Sequence, residues 1–512
     1  MTDRFALIAP LTHTDAYKLD HRRQYPVGTT GVLSNFTNRG SRIERVTHVV
    51  HFGLQAFLQS WAMDAWQPFF AADVDEVADL YSEFVTGVLG PAAAEAIGTD
   101  HIRALHAVGY LPLRFCSLPE GTLVPLRVPS FTIENTLPEF YWLVNYIETA
   151  LSAVIWQPST SATKAHYMRQ MLNEWAVKTT GSTAGVEWQG HDFSFRGMAG
   201  IEAAAASGAG HLLSFSGSDN LHVVGWVGQN YDGIDNGQIL GSVPATEHSV
   251  MCAGGSDEGE EEQTYRRIID LYPEGIVSVV SDTWDLWNVL TNILPDLKDQ
   301  ITAREGKLVI RPDSGNPVDI LTGAKEYRSH MKGGGPADTG VIELLWETFG
   351  GTTNEQGYKV LDSHIGSIYG DGITYERADE ICKRLEAKGF ASTNVVFGVG
   401  SFTYQYTTRD DFMSAVKATW VEIDGEGRDI FKDPKTDSGT KKSAKGRIVV
   451  VLDHGEYVLI DGDQAKTMEP FGLSSLQPVW ENGSFRRTQS FNEIRERLVD
   501  EADRVALVKE RQ

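Results

Sequence analysis

KLVIRPDSGNP (residues 307–317) shows the unit from which this chain is built: an apolar, β-branched run that ends abruptly in Arg311, Asp313 and Gly315. Short runs of Val, Ile and Phe bounded by polar or glycine residues read as strands, and a helical segment after each reads as βα repetition. Working outward, the same pattern occurs N-terminally in DFSFRG (192–197), HLLSFSGSD (211–219), ILGSVPATEH (239–248) and GIVSVVSD (275–282). It occurs C-terminally in SIYGDG (367–372) and VVFGVGS (395–401). With KLVIRPDSG (307–315) these make seven candidate strands, which suit an α/β barrel. The C-terminal strand ends of such a barrel converge on one mouth. Here they carry Arg196, Asp219, His248, Asp282, Arg311 with Asp313, Asp371, and Gly400 with Ser401. The apolar residues are expected to fill the barrel interior, so the polar ends hold the chemistry.

The barrel pattern occupies residues 181–405. Residues 1–180 read as a supporting α+β lobe, with helical stretches at Val49–Trp66 and Glu139–Ala153 around the strand-like GTLVPLRVPSFTI. Residues 406–512 carry a Lys-rich run, FKDPKTDSGTKKSAKGR (431–447), followed by a hairpin, RIVVVLD and EYVLIDG. The acidic run DEGEEE (257–262) reads as a solvated helix start or loop.

The chain has 512 residues, 41% hydrophobic and 22% charged, enough to bury a sizeable core. Its formal charge of -24 opposes non-specific attraction to nucleic acid or anionic lipid, so neither partner is expected and an anionic substrate needs a local basic pocket. Cys116, Cys252 and Cys382 have no zinc-like or disulfide-like spacing, which suits a reducing cytoplasm. The opening MTDRFALIAPLTHTD is too short in its apolar part for a signal peptide, and no stretch supplies the roughly 18 apolar residues of a membrane span.

Neither a GxxxxGK[ST] loop nor a GxGxxG turn after a first strand occurs, so phosphate must be held by other means. GDG (370–372) and GVGS (398–401) both follow apolar runs, where backbone N–H groups can cradle an anion or simply form turns. Arg311 and Asp313 stand two residues apart on an extended chain and can share a face. They suit either a sugar with a planar polar ring or a structural ion pair before a turn. His248 lacks the companions of a zinc site, which leaves a structural or a catalytic histidine.

Ten segments in order carry a family resemblance: TDAYKLDHRRQYP (14–26), NYIET (145–149), HDFSFRG (191–197), FSGSD (215–219), SVPATEHS (242–249), VSVVSD (277–282), IRPDSGNP (310–317), GDG (370–372), FGVGS (397–401) and FKDP (431–434). Over roughly residues 12–495 the chain resembles the nicotinamide phosphoribosyltransferases. The resemblance implies an irregular (β/α) barrel of the type II phosphoribosyltransferase kind, with an additional mixed α+β lobe formed from the N- and C-terminal segments. It also implies an obligate homodimer with active sites at the dimer interface.

The resemblance assigns roles residue by residue. Phe193 and the partner subunit's Tyr17 sandwich the pyridine ring, and Asp219 accepts from the carboxamide. Arg311 and Arg196 hold the ring's polar edge or the phosphoribosyl group, while Asp313, Gly370 and Asp371 hold ribose. The backbone at Gly400 and Ser401 takes the 5′-phosphate. The partner subunit's Arg39, with Arg409, Lys417, Lys432 and Lys441, faces phosphate and pyrophosphate. His248 is the histidine that ATP phosphorylates. Ser401 and Phe402 depart from a glycine-rich loop, and one extra residue in 435–441 leaves Lys441 and Lys442 as alternatives.

The implied reaction joins nicotinamide to 5-phosphoribosyl 1-pyrophosphate (PRPP), giving nicotinamide mononucleotide in NAD salvage. The pyridine nitrogen is a neutral nucleophile, so positioning and charge stabilisation suffice without a strong base. Asp282 and Asp313 are the candidates for hydrated Mg²⁺. Nicotinate phosphoribosyltransferase is the nearest alternative. A substrate carboxylate about 4 Å from an ionised Asp219 is disfavoured by roughly 4 kcal/mol at an effective dielectric of 20, about a thousandfold, which favours the amide. A metal-assisted barrel hydrolase gives the basic run no task, and a non-catalytic binding protein has no need of Asp313 or His248.

Overall fold

β-branched and aliphatic runs in this chain do form parallel strands, and their buried residues pack against the helices of the same unit. The computed structural model describes residues 4–231, 238–255, 257–324, 335–370, 372–432, 436, 443–468 and 472–511. The chain divides into two compact units. One comprises residues 164–225 and 237–407, the other residues 1–163, 226–236 and 408–512.

The first unit is built on six parallel strands: β1 (Gly190–Asp192), β2 (Gly217–Ser218), β3 (Glu274–Val280), β4 (Glu305–Arg311), β5 (Ile365–Tyr369) and β6 (Val395–Val399). They lie in the order β2-β1-β6-β5-β4-β3. Parallel bridges Gly217↔Gly241 and Ala245↔Ser278 join the two edges through residues 241–245, closing the sheet into an irregular barrel. The expected strand at 239–248 is therefore only this pair of bridges. Pro244 has no N–H to give a ladder, although its carbonyl accepts from Ser278 N–H at 2.9 Å. The expected strand at 211–219 shrinks to Gly217–Ser218, because the Ala-rich IEAAAASGAGHL propagates helix α1 (Ile201–Leu212) through His211. The core of this unit packs Val277, Val279, Leu308, Ile310, Phe397 and Val399 from the strands against helix residues such as Tyr265, Leu345 and Ile381.

The other unit holds a seven-stranded antiparallel sheet of N- and C-terminal strands in the order 426–429, 414–423, 29–38, 129–135, 113–117, 477–481 and 484–485. Thr29–Asn38 pairs with Ser414–Ile423, which ties the two ends of the chain into one sheet. Phe36 stacks on Phe131 at 5.0 Å and Trp480 meets Phe115 edge-on, so cross-strand aromatic pairs fill one face. The expected hairpin is present as Val449–Asp453 paired with Glu456–Ile460. Within the acidic run, Asp257 caps a short turn and Glu261 begins a helix with its side chain buried, so not every acid there is solvated. Among the described residues no helix is long and apolar enough to cross a membrane.

Candidate active site

Parallel pairing sets the depth at which each strand releases its polar end. The His191↔Gly217 register between β1 and β2 carries the chain into Phe193 on one side and Asp219 on the other. Phe193 N–H donates to the Val399 carbonyl at 3.0 Å, and Asp219 N–H to the Asp192 carbonyl at 3.1 Å, so main-chain bonds hold both residues at the barrel mouth. A cavity of about 710 Å³ opens there. It is lined by Phe193, Arg196, Asp219, Arg311, Asp313, Gly370, Gly400 and Ser401, together with Asp192, Thr246 and Glu247. Beneath it lies a largely apolar cavity of about 390 Å³ inside the barrel, sharing Phe193, Asp219 and Arg311 in its lining.

Arg311, the last residue of β4, donates through Nη2 to the Thr246 carbonyl at 2.7 Å, and its guanidinium lies 6.0 Å from the Phe193 ring centre. Its Nε is buried and unpartnered among the described residues. Asp282 Oδ2 accepts from Asp313 N–H at 3.0 Å and from Ser314 Oγ–H at 2.5 Å, which locks the two carboxylate-bearing loops together. Asp282 Oδ1 is buried and has no hydrogen bond among the described residues. Gly370 suits this arrangement, since a Cβ there would come within 2.3 Å of Asp313 Oδ1 and displace that carboxylate. His248, at the start of helix α2 (His248–Gly254), holds Thr283 Oγ1 at 3.2 Å through Nδ1. Its Nε2 lies 3.8 Å from Asp313 Oδ2 and 3.9 Å from Asp282 Oδ1.

Asp219 has partners that sequence reasoning did not supply. His191 Nε2 lies 3.1 Å from Asp219 Oδ1, and Ser242 Oγ–H donates to the same oxygen. Burial opposes ionisation of Asp219, but these hydrogen bonds and the nearby His191 and Arg311 outweigh it and hold the carboxyl below its usual range. His191 stands in the segment HDFSFRG, yet nothing in its local sequence couples it to an acid 28 residues away.

Arg39, Lys417, Lys432, Arg409 and Tyr17 belong to the other unit. Arg39 and Lys417 line a cavity of about 180 Å³ with Arg127, a further cation whose φ of 74° gave no sequence signal. Lys417 Nζ also lies 3.3 Å from Glu148, which in turn pairs with Lys18. Lys432 N–H donates to the hydroxyl of Ser443, a residue of that cavity lining, and its carbonyl accepts from Ser443 N–H, while Arg409 sits 3.9 Å from Asp410. Tyr17 is 62% exposed and donates to Asp15 at 3.2 Å. Asp371, Lys441 and Lys442 lie outside the described residues.

Residues 188–484 match the nicotinate phosphoribosyltransferase (NAPRTase) family, and residues 9–97 match the nicotinamide phosphoribosyltransferase N-terminal domain. A nicotinamide phosphoribosyltransferase of Acinetobacter baylyi is 48% identical over 508 residues, covering 97% of this chain and 98% of the relative. This chain belongs to that family of phosphoribosyltransferases. A nicotinamide phosphoribosyltransferase of Mycoplasma pneumoniae is 37% identical over 442 residues, 85% of this chain and 94% of its own length. The fold is shared with human nicotinic acid phosphoribosyltransferase, at a TM-score of 0.53 and 15% identity over 96% of this chain and 94% of that one. It is also shared with nicotinate-nucleotide pyrophosphorylase of Pyrococcus furiosus, at a TM-score of 0.52 and 17% identity over 98% and 97% of the two chains. The phosphoribosyltransferase described here is thus a pentosyl-transferring enzyme of NAD salvage on a type II barrel.

Proposed function

We propose that this phosphoribosyltransferase acts on nicotinamide, joining it to PRPP to form nicotinamide mononucleotide and pyrophosphate. The observation that carries the reading is the state of Asp219. His191 and Ser242 both engage Oδ1, and among the described residues no hydrogen bond reaches Oδ2. An ionised carboxylate in that position accepts from a carboxamide N–H and repels the carboxylate of nicotinate. The relatives at 48% and 37% identity, both named for nicotinamide, support the same choice.

In this reading the flat ring lies on Phe193 and the carboxamide donates to Asp219. Arg311, with its unpartnered Nε, and Arg196 anchor the polar edge of the ring or the phosphoribosyl group. Asp313 and Gly370 hold ribose, and the backbone at Gly400 and Ser401 takes the 5′-phosphate. The pyridine nitrogen displaces pyrophosphate at the anomeric carbon through an oxocarbenium-like state, and no side chain has to remove a proton. Tyr17 and Arg39 serve the partner subunit's site in a homodimer, which gives the exposed Tyr17 ring a pyridine face to cover. Arg409, Lys417, Lys432 and Lys441 face the phosphates.

The buried, unpartnered Oδ1 of Asp282, close to Asp313, fits a hydrated Mg²⁺, an ion that prefers oxygen ligands. When bound, Mg²⁺ would neutralise charge on the leaving pyrophosphate. ATP phosphorylates His248, and hydrolysis of the phosphohistidine couples ATP use to the synthesis. A cytoplasmic location fits three cysteines that are free in the structure.

Incubation with PRPP, Mg²⁺ and either nicotinamide or nicotinate decides the matter. Mononucleotide is expected from nicotinamide in preference. Preference for nicotinate at every pH, or product from neither base, overturns the proposal.

A further inference from the structure

The Asp219 carboxylate is not alone in the base pocket. His191 lines the apolar cavity with its side chain 12% exposed, its ring 4.6 Å from that of Phe193 and its Nε2 3.1 Å from Asp219 Oδ1. The neighbouring strand leaves it room: a Cβ at residue 217 would fall 2.7 Å from His191 Nδ1 and push the ring from its place, and Gly217 carries none. We infer that His191 is a specificity-determining residue, whose protonation offsets the Asp219 charge and thereby makes the choice between amide and acid substrates depend on pH.

The inference rests on the nicotinamide reading and adds a titratable control to it. With a neutral imidazole donating through Nε2, a substrate at Oδ2 meets a net negative pair and a carboxylate is rejected. Once the imidazole is protonated, a positive charge stands 3.1 Å from Asp219 Oδ1 and the pair is close to neutral. Repulsion of a substrate carboxylate then weakens, while a carboxamide still finds its acceptor. Histidine is the side chain suited to such a change near neutrality.

The other charged and titratable groups packed around His191 are few. Asp192 follows it on β1, Arg311 and Lys307 come from β4, and His211 comes from α1. His211 is buried between the Tyr404 hydroxyl at 2.6 Å and the Gly217 carbonyl at 3.1 Å, and burial pushes it down to about 4, which leaves it neutral where the assay operates. Asp219, held below its usual range, stays ionised there. Ser242 shares Oδ1 but carries no charge, which makes it the natural control.

The test measures kcat/KM for nicotinamide and for nicotinate, with PRPP and Mg²⁺, from about pH 5.5 to about pH 8.5. In the wild type the ratio of nicotinamide to nicotinate should fall by roughly tenfold toward acid. In His191→Gln, which keeps a donor that cannot be charged, the ratio should stay flat near its alkaline value; His191→Asn is the second variant should Gln fold poorly. Ser242→Ala should keep the slope. A wild-type ratio that does not change with pH, or a slope that persists in a folded His191 variant, overturns the inference while leaving the nicotinamide reading intact. Wild-type preference for nicotinate at every pH sinks that reading first.

Discussion

His248 presents Nε2 3.8 Å from Asp313 Oδ2, beyond direct hydrogen-bond reach but within the span of a bridging water or cation. Its other nitrogen is engaged by Thr283, so Nε2 is the nitrogen that faces the carboxylates. Since the pyridine nitrogen carries no proton to remove, an imidazole here is assigned to phosphoryl acceptance and not to proton abstraction. His248→Ala should keep measurable mononucleotide synthesis but lose ATP hydrolysis and any ATP-dependent gain. Parallel assays of both activities, with an acid-labile phosphate measurement on the wild type, check this; full ATP stimulation in the variant refutes it.

Asp219→Asn replaces a repelling carboxylate with a neutral amide that donates as well as accepts. The ratio of kcat/KM for nicotinamide over nicotinate should fall by roughly tenfold or more. An unchanged ratio would mean that Asp219 does not read the amide.

Shared sites predict complementation. Tyr17→Ala and Asp313→Ala subunits, each inactive alone, should regain part of the activity when exchanged into heterodimers, because one site then combines two intact halves. Demonstrated heterodimers without recovered activity would argue that Tyr17 works on its own chain's site or on none.

Glu120 supplies a stability prediction. It is fully buried, and burial raises its carboxyl above the usual range although Gly53 N–H, Gln55 N–H and the Tyr231 hydroxyl all donate to it. For a carboxyl raised in the folded state, the contribution to stability is fully present below the ordinary carboxyl range. It is lost as pH rises through the raised value. Glu120→Gln, which is always neutral, should flatten that decline, so the wild-type Tm should drop more than the variant's from mildly acidic to neutral pH. Parallel curves for the two proteins would show that Glu120 does not titrate in this window.

Much of the barrel was legible because burial on both faces forces near-continuous apolar strands, and a polar residue at the end of such a run has few places to go but the mouth. Arg196, Asp219, Arg311 and Asp313 could be named from that rule, and all four line one cavity. The rule failed where a run was short or ambiguous. HLLSF offers no clear period, and only the structure shows that α1 runs into it as far as Leu212 and that the strand begins later, at Gly217.

By itself, then, the sequence determined the βα rhythm, the polar strand ends that line the mouth cavity and the family, since these follow from local periodicity and from ordered motifs. Tertiary structure alone decided that Gly241 and Ala245 close the barrel by two bridges, that Arg127 joins Arg39 and Lys417, and that His191 and Ser242 reach one oxygen of Asp219. Those pairings depend on strand register and loop path between residues far apart along the chain, 28 and 23 residues for the two Asp219 contacts, and no local propensity encodes such a distance between side chains.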